Sequence, residues 1–197
     1  MLQTMASPKP DPTRRNEHSR RAILAATIAL VSEHGYENVS IEAIARRAGC
    51  GKQTIYRWWP SKGAVVLEAL DDSLSSVVDF PDTGDLLADL RTQMKGVTEL
   101  LGSTAVGPVY QGLVAAAQSD PAVSRAHLEQ VIAPATVAGH ERIARAKERG
   151  EIRADADAQT LIDMLYGAIY YRLLLHTRPL APEQIDAALD IAFEGLR

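Results

Sequence analysis

Between Ser40 and Lys62 the chain places Lys52, Gln53, Thr54, Tyr56, Arg57 and Trp58 around a short segment whose apolar residues, Ile55 and Trp59, lie four positions apart. On a helix that interval sends Ile55 and Trp59 inward and leaves a face of hydrogen-bonding groups outside. Glutamine pairs bidentately with adenine, lysine reaches guanine or a phosphate, threonine meets a thymine methyl, and tyrosine holds a phosphate. The chemistry is that of reading a nucleic-acid duplex. Ser40, Gly51 and Lys62, at the borders of the segment, complete the candidate contact set.

The elements that must position these groups are two short helices. Ile41, Ile44, Ala45 and Ala48 form one apolar stripe. Ser40 stands at the N-cap, Glu42 suits the positive end of the helix, and Gly49 offers the left-handed stop. Cys50 fills an apolar turn position, and Lys52-Gln53-Thr54 opens the second helix, which Pro60 ends. Ser61 caps the next helix with Lys62 in its first turn, where a bound phosphate would suit both lysine and helix end. Two helices joined by a glycine turn, the second with a polar outer face, are the pattern of a helix-turn-helix.

The stretch from Arg20 to Leu70 resembles the DNA-binding domain of TetR-family (tetracycline-repressor-like) transcriptional regulators. The resemblance is carried by Ile23-Leu24-Ala25-Ala26, Gly35-Tyr36, Ser40-Ile41-x-x-Ile44-Ala45, Ala48-Gly49 and Thr54-Ile55-Tyr56-Arg57-x-Trp59-Pro60-Ser61-Lys62, in order. Cys50, at a usually aliphatic position, and the bulky Trp58, at a variable outer position, depart from the family pattern. The resemblance implies a homodimer paired through its last two long helices, a palindromic double-stranded DNA operator, and a small-molecule effector bound in the C-terminal region.

Charge divides along the chain in the same sense. Residues 1–70 hold ten Lys/Arg against six Asp/Glu, whereas residues 71–197 hold eleven against nineteen, within a net charge of −4. The basic part coincides with the helix-turn-helix. Three domains are expected: a disordered basic arm over 1–16 carrying Pro8, Pro10 and Pro12, a DNA-binding domain over 17–70, and a ligand-binding and dimerisation domain over 71–197. Arg14, Arg15, Arg20 and Arg21 suit phosphates or a minor groove; a merely solvated tail is the other reading for Arg14 and Arg15.

Every remaining segment reads as helix. Helix one runs from near Glu17 to His34, with Ile23, Thr27, Leu30 and Val31 inward. Phe80-Pro81 to Gly84 is a breaker, followed by stripes over Asp85–Leu101 and Pro108–Ala117. A long helix starts at Asp120-Pro121 and is expected to bend near Pro134. The fold class is therefore all-α, with about nine helices: a three-helix N-terminal domain carrying the helix-turn-helix and a larger C-terminal bundle. Ala158–His176 is apolar around much of its circumference, which predicts burial by a second copy together with the last helix; the alternative is burial of both helices within one subunit. Met94, Val97, Tyr110, Leu113, His127, Val131, Tyr166 and Tyr170 are candidate walls of an effector pocket; the alternative for each is a satisfied core residue.

Other chemistries fail on spacing. Gly49-Cys50-Gly51-Lys52 lacks the first P-loop glycine, where Arg46 stands, and the hydroxyl after the lysine, where Gln53 stands. His140-Glu141 lacks the second zinc histidine, at Ala144. No metal, cofactor, dinucleotide fingerprint or nucleophile elbow is expected, and a lone cysteine fits a reducing cytoplasm. No segment suits a membrane span or signal peptide. A second reading remains: an α-helical binding protein or enzyme with a vestigial helix-turn-helix.

Overall fold

Five side chains start five of the helices by accepting a hydrogen bond from the first turn: Ser40 from the Ala43 N–H, Ser61 from Ala64, Asp85 from Ala88, Asp120 from Ala122 and Val123, and Asp157 from Thr160. The computed structural model of the chain describes residues 12–194. Its elements are α1 (Pro12–His34), α2 (Ile41–Arg47), α3 (Lys52–Trp58), α4 (Lys62–Ser75), α5 (Leu86–Ser103), α6 (Val106–Ala117), α7 (Pro121–His127), a π-turn (Leu128–Ile132), α8 (Ala133–Glu148), α9 (Ala158–Leu175) and α10 (Glu183–Glu194). The chain runs through α7, the π-turn and α8 without a break. Counted as one helix, they make nine among the described residues, with no strand. No single helix there is long and apolar enough to cross a membrane.

Two boundaries differ from the sequence expectation. α1 begins at Pro12, more than a turn before Glu17, because proline suits the first turn of a helix as well as a loop. Residues 1–11 of the expected arm, and the side chains of Arg14 and Arg15, lie outside the described residues. The expected bend near Pro134 is a π-turn just ahead of it. There the Ala133 N–H reaches back five residues to the Leu128 carbonyl. Proline lacks an N–H and crowds the carbonyl four residues before it, and the wider turn accommodates both effects.

The N-terminal helices and the bundle share one hydrophobic core. α4 packs on α1, α6 and α7, and α6 also packs on α1. Two glycines allow close approach between the N-terminal helices and the bundle. A Cβ at Gly63 of α4 would lie 2.5 Å from Val123 Cγ2 of α7, and one at Gly112 of α6 would lie 2.6 Å from the Tyr36 Cβ. Larger residues there would force the helix-turn-helix away from the bundle.

A buried ion cluster locks the bundle's other end. Arg142 of α8 is fully buried and donates through Nε to Asp89 Oδ2 at 2.8 Å and through Nη2 to Glu151 Oε2 at 2.9 Å. Thr83 gives Asp89 two more donors, and the Leu86 N–H donates to Glu151. Burial opposes ionisation of Asp89, but hydrogen bonds from Thr83 and Arg142 outweigh it and hold its carboxyl below the ordinary range. A folded-state value below the unfolded one gives stability that is complete above the unfolded pKa, about 4, and lost as pH falls through the folded value. The thermal midpoint is expected to be flat near neutrality and to drop below about pH 4. Asp89→Asn should lower the neutral plateau and make the acid limb shallower; an unchanged limb would assign acid unfolding to other carboxylates.

Candidate nucleic-acid interface and effector cavity

The turn between α2 and α3 is closed by backbone bonds of the Schellman type. Cys50 N–H reaches the Ala45 carbonyl at 2.9 Å and Gly49 N–H the Arg46 carbonyl at 3.3 Å. Gly49 sits at φ +69°, which glycine adopts without a Cβ penalty. Ile41, Ile44, Ala45, Ile55 and Trp59 are all buried, so α2 and α3 are fixed on their inner faces. Trp59 also donates its indole N–H to Glu68, which holds the Arg20 Nε at 2.6 Å. Arg20, expected as a phosphate contact, is thus committed to Glu68 and Glu17.

On α3, Lys52, Gln53, Tyr56 and Arg57 are exposed, and Thr54 and Trp58 are partly so; Gly51 is the exposed N-cap. Lys52 pairs with Glu42 at 3.3 Å across the turn, and Arg57 lies over the Trp58 ring, 5.3 Å from its centroid. Both contacts are solvent-exposed and weak enough to exchange for a phosphate. Trp58 meets Trp59 edge-on and walls a groove between α3, α4 and α7, so part of its surface is spoken for. The Ser40 oxygen is occupied as a cap, leaving its hydrogen to donate. Lys62 has a second task. Its ammonium donates to the Tyr36 carbonyl at 2.7 Å and lies over the Tyr36 ring, and burial pulls its pKa below the ordinary lysine value. Two N–H groups remain for a phosphate.

Arg46 was not singled out from sequence. It is exposed at the end of α2 and carries no ion pair among the described residues, unlike Arg47, held by Glu33 through two bonds. Its signal was its position off the α2 apolar stripe. Cys50 is partly buried, and burial pushes its thiol pKa up, away from a reactive thiolate.

In the bundle, Val97, Tyr110, Val131, Tyr166 and Tyr170 line a cavity of about 80 Å³ with Gln93 and aliphatic neighbours. It adjoins an outer chamber of about 320 Å³ between α8 and α9. Tyr110 bonds to Tyr170 and to His127 Nε2 (3.0 Å), and Tyr166 donates to Gln93. His127 therefore stands behind Tyr110 and off the cavity wall. Met94 and Leu113 are core residues, fully buried and off the wall. Their helical spacing matched that of the lining residues, so periodicity alone did not separate them.

α9 and α10 leave an apolar face uncovered. Met164, Tyr171 and Leu175 of α9 fall at i, i+7 and i+11 and are 59%, 58% and 61% exposed, and Ile191 of α10 is 73% exposed. Large apolar side chains gathered on one helix pair mark a contact surface.

Fold and site together define a helix-turn-helix DNA-binding protein with an all-helical C-terminal bundle. Residues 23–69 match the profile "Bacterial regulatory proteins, tetR family", and residues 80–192 match "Tetracyclin repressor-like, C-terminal domain". The chain is 30% identical to the uncharacterized HTH-type transcriptional regulator YdeS of Bacillus subtilis, over 93% of this chain and 92% of that one. It is also 30% identical to the DNA-binding transcriptional repressor TetR of Mycobacteroides abscessus, over 82% and 85% of the two chains. The crystal structure of the TetR-family regulator SCO0332 superposes with a TM-score of 0.74 at 34% identity, covering 91% of this chain and 99% of that one. The chain belongs to the TetR family of transcriptional regulators.

Proposed function

We propose that the chain acts as a homodimeric repressor that reads a palindromic DNA operator through α3 and leaves it when a small molecule enters the bundle cavity. The carrying observation is the exposed Lys52–Gln53–Tyr56–Arg57 surface on a helix pinned from behind by Ile55 and Trp59. Gln53 is the base reader. Lys52, Tyr56, Arg57, Arg46 and Lys62 hold phosphates, and Ser40, Gly51 and Thr54 complete the contact. The uncovered α9–α10 face pairs with its copy and sets two recognition helices about one DNA turn apart.

Effector release follows from the packing. Val131 and Ile132 of the π-turn line the cavity, and Val123, on the same uninterrupted helix, fills the notch at Gly63 of α4. A ligand that favours another position of α7 moves α4 and, with it, the spacing of the two α3 helices.

The test is binding to duplexes selected from a random pool, read against salt. Lys62→Ala is expected to weaken all duplexes alike and lower the salt slope by about one, whereas Gln53→Ala should relax base preference at one position per half-site. Melting curves of Lys62→Ala separate loss of the phosphate contact from loss of the Tyr36 anchor. If neither variant changes binding, the recognition face is misassigned. A chain that binds no duplex at low salt favours a binding protein with a vestigial helix-turn-helix.

A further inference from the structure

The cavity and its outer chamber share Ile132, Ala135, Tyr166 and Tyr170, so the two tyrosines, one turn apart on α9, form the α9 side of the partition between them and Ile132 and Ala135 the opposite side. No charged side chain lines the inner cavity. Its polar groups are Gln93 and the phenols of Tyr110, Tyr166 and Tyr170. Burial drives all three phenols above the ordinary tyrosine value and pulls His127, behind Tyr110, below the ordinary histidine value. At neutral pH the interior is therefore uncharged. The charged group of the outer chamber is Asp163, exposed at its edge and bonded to Gln159.

This wiring selects against ions. A carboxylate pushed to the tyrosine partition would meet no cation and would lose its hydration without a partner charge, and an ammonium would meet tyrosine ring faces and phenol oxygens but no carboxylate, so the anion is disfavoured more than the cation. A hydroxyl or carbonyl fits. In the chain His127–Tyr110–Tyr170 the protons can run in either direction, depending on the His127 tautomer. The Tyr170 hydroxyl can therefore present a donor or an acceptor to a neutral group.

We propose that the effector is an uncharged, mainly apolar molecule with one hydroxyl or carbonyl group, its polar end held at the Tyr166–Tyr170 partition and its apolar body in the outer chamber. This deepens the effector reading given above and rests on it. The chamber's volume suits a small organic molecule. Its wall supplies Ile132, Ala135, Gly139, Ile162 and Gly167 for the apolar body.

The test uses three probes of one chain length, decanol, decanoate and decyltrimethylammonium, titrated calorimetrically into the full-length protein below the solubility limit of decanol and the micelle concentrations of the two ions. Decanol is expected to bind about tenfold or more tighter than either ion, and Tyr170→Phe should weaken decanol by about tenfold at most. Ala135→Leu, which fills the shared wall, should abolish the binding. Its melting curve shows whether it still folds, and Ile132→Phe serves if it does not. Tighter binding of decanoate or decyltrimethylammonium, abolished by the filling variant, overturns the neutral class and leaves the effector cavity standing. A probe that binds equally well after filling places the site elsewhere and overturns the effector reading itself. No binding by any of the three also overturns the proposal.

Discussion

Arg142→Met is expected to destabilise the protein by about 3–5 kcal/mol, measured by urea unfolding at neutral pH. Arg142 is fully buried, and two of the carboxylates it serves, Asp89 and Glu151, are buried or nearly so. Removing the guanidinium leaves two desolvated anions with Thr83 and the Leu86 N–H as their remaining hydrogen-bond donors, and Arg149, 3.7 Å from Glu151, as a nearby cation. The cost comes from those orphaned charges more than from the strength of the pair itself. Replacing the whole cluster, Arg142→Met with Asp89→Leu and Glu151→Met, should recover much of the loss. If Arg142→Met alone costs less than about 1 kcal/mol, the cluster is more hydrated than its burial indicates.

Tyr171→Glu combined with Leu175→Glu is expected to yield a folded monomer whose affinity for the palindromic duplex is about a hundredfold or more weaker. Both side chains are more than half exposed in the isolated chain, so the substitutions disturb no packing within it. In the proposed dimer they would oppose their own copies, because a two-fold contact brings the same patch together. Loss of pairing removes the effective concentration of the second recognition helix, which commonly contributes two to four orders of magnitude. Sedimentation velocity reads the assembly and a duplex titration reads the consequence. A variant that stays dimeric would place the interface on another face.

Local signals explain what was legible in the sequence. Ser40, Gly49 and the Ile41–Ile44–Ala45 stripe specify α2 and its stop within ten residues, and Ile55 with Trp59 orients α3, so which face of α3 is exposed followed directly. Tyr110, Tyr166 and Tyr170 were legible as polar groups on apolar helix faces. What was hidden depends on contacts far apart in the chain. Arg142 meets Asp89 53 residues away, and Lys62 meets the Tyr36 carbonyl 26 residues away. No periodicity reports such meetings, so Arg142 read as one charge among many and Lys62 as a phosphate ligand alone. Met94 and Val97 show a finer limit. Both belong to the apolar stripe of α5, yet Val97 reaches the cavity and Met94 is packed away from it.

In the proposed complex α3 reads one half of a palindrome through Gln53. Selecting duplexes with the wild-type chain and with Gln53→Ala, and comparing the enriched sequences, tests that role. A two-fold symmetric site, bound with a steep salt dependence, is expected for the wild type. The variant should keep the same symmetry with base preference lost at one position in each half. Selection of identical sequences by both proteins, or no enriched site at all, would contradict it.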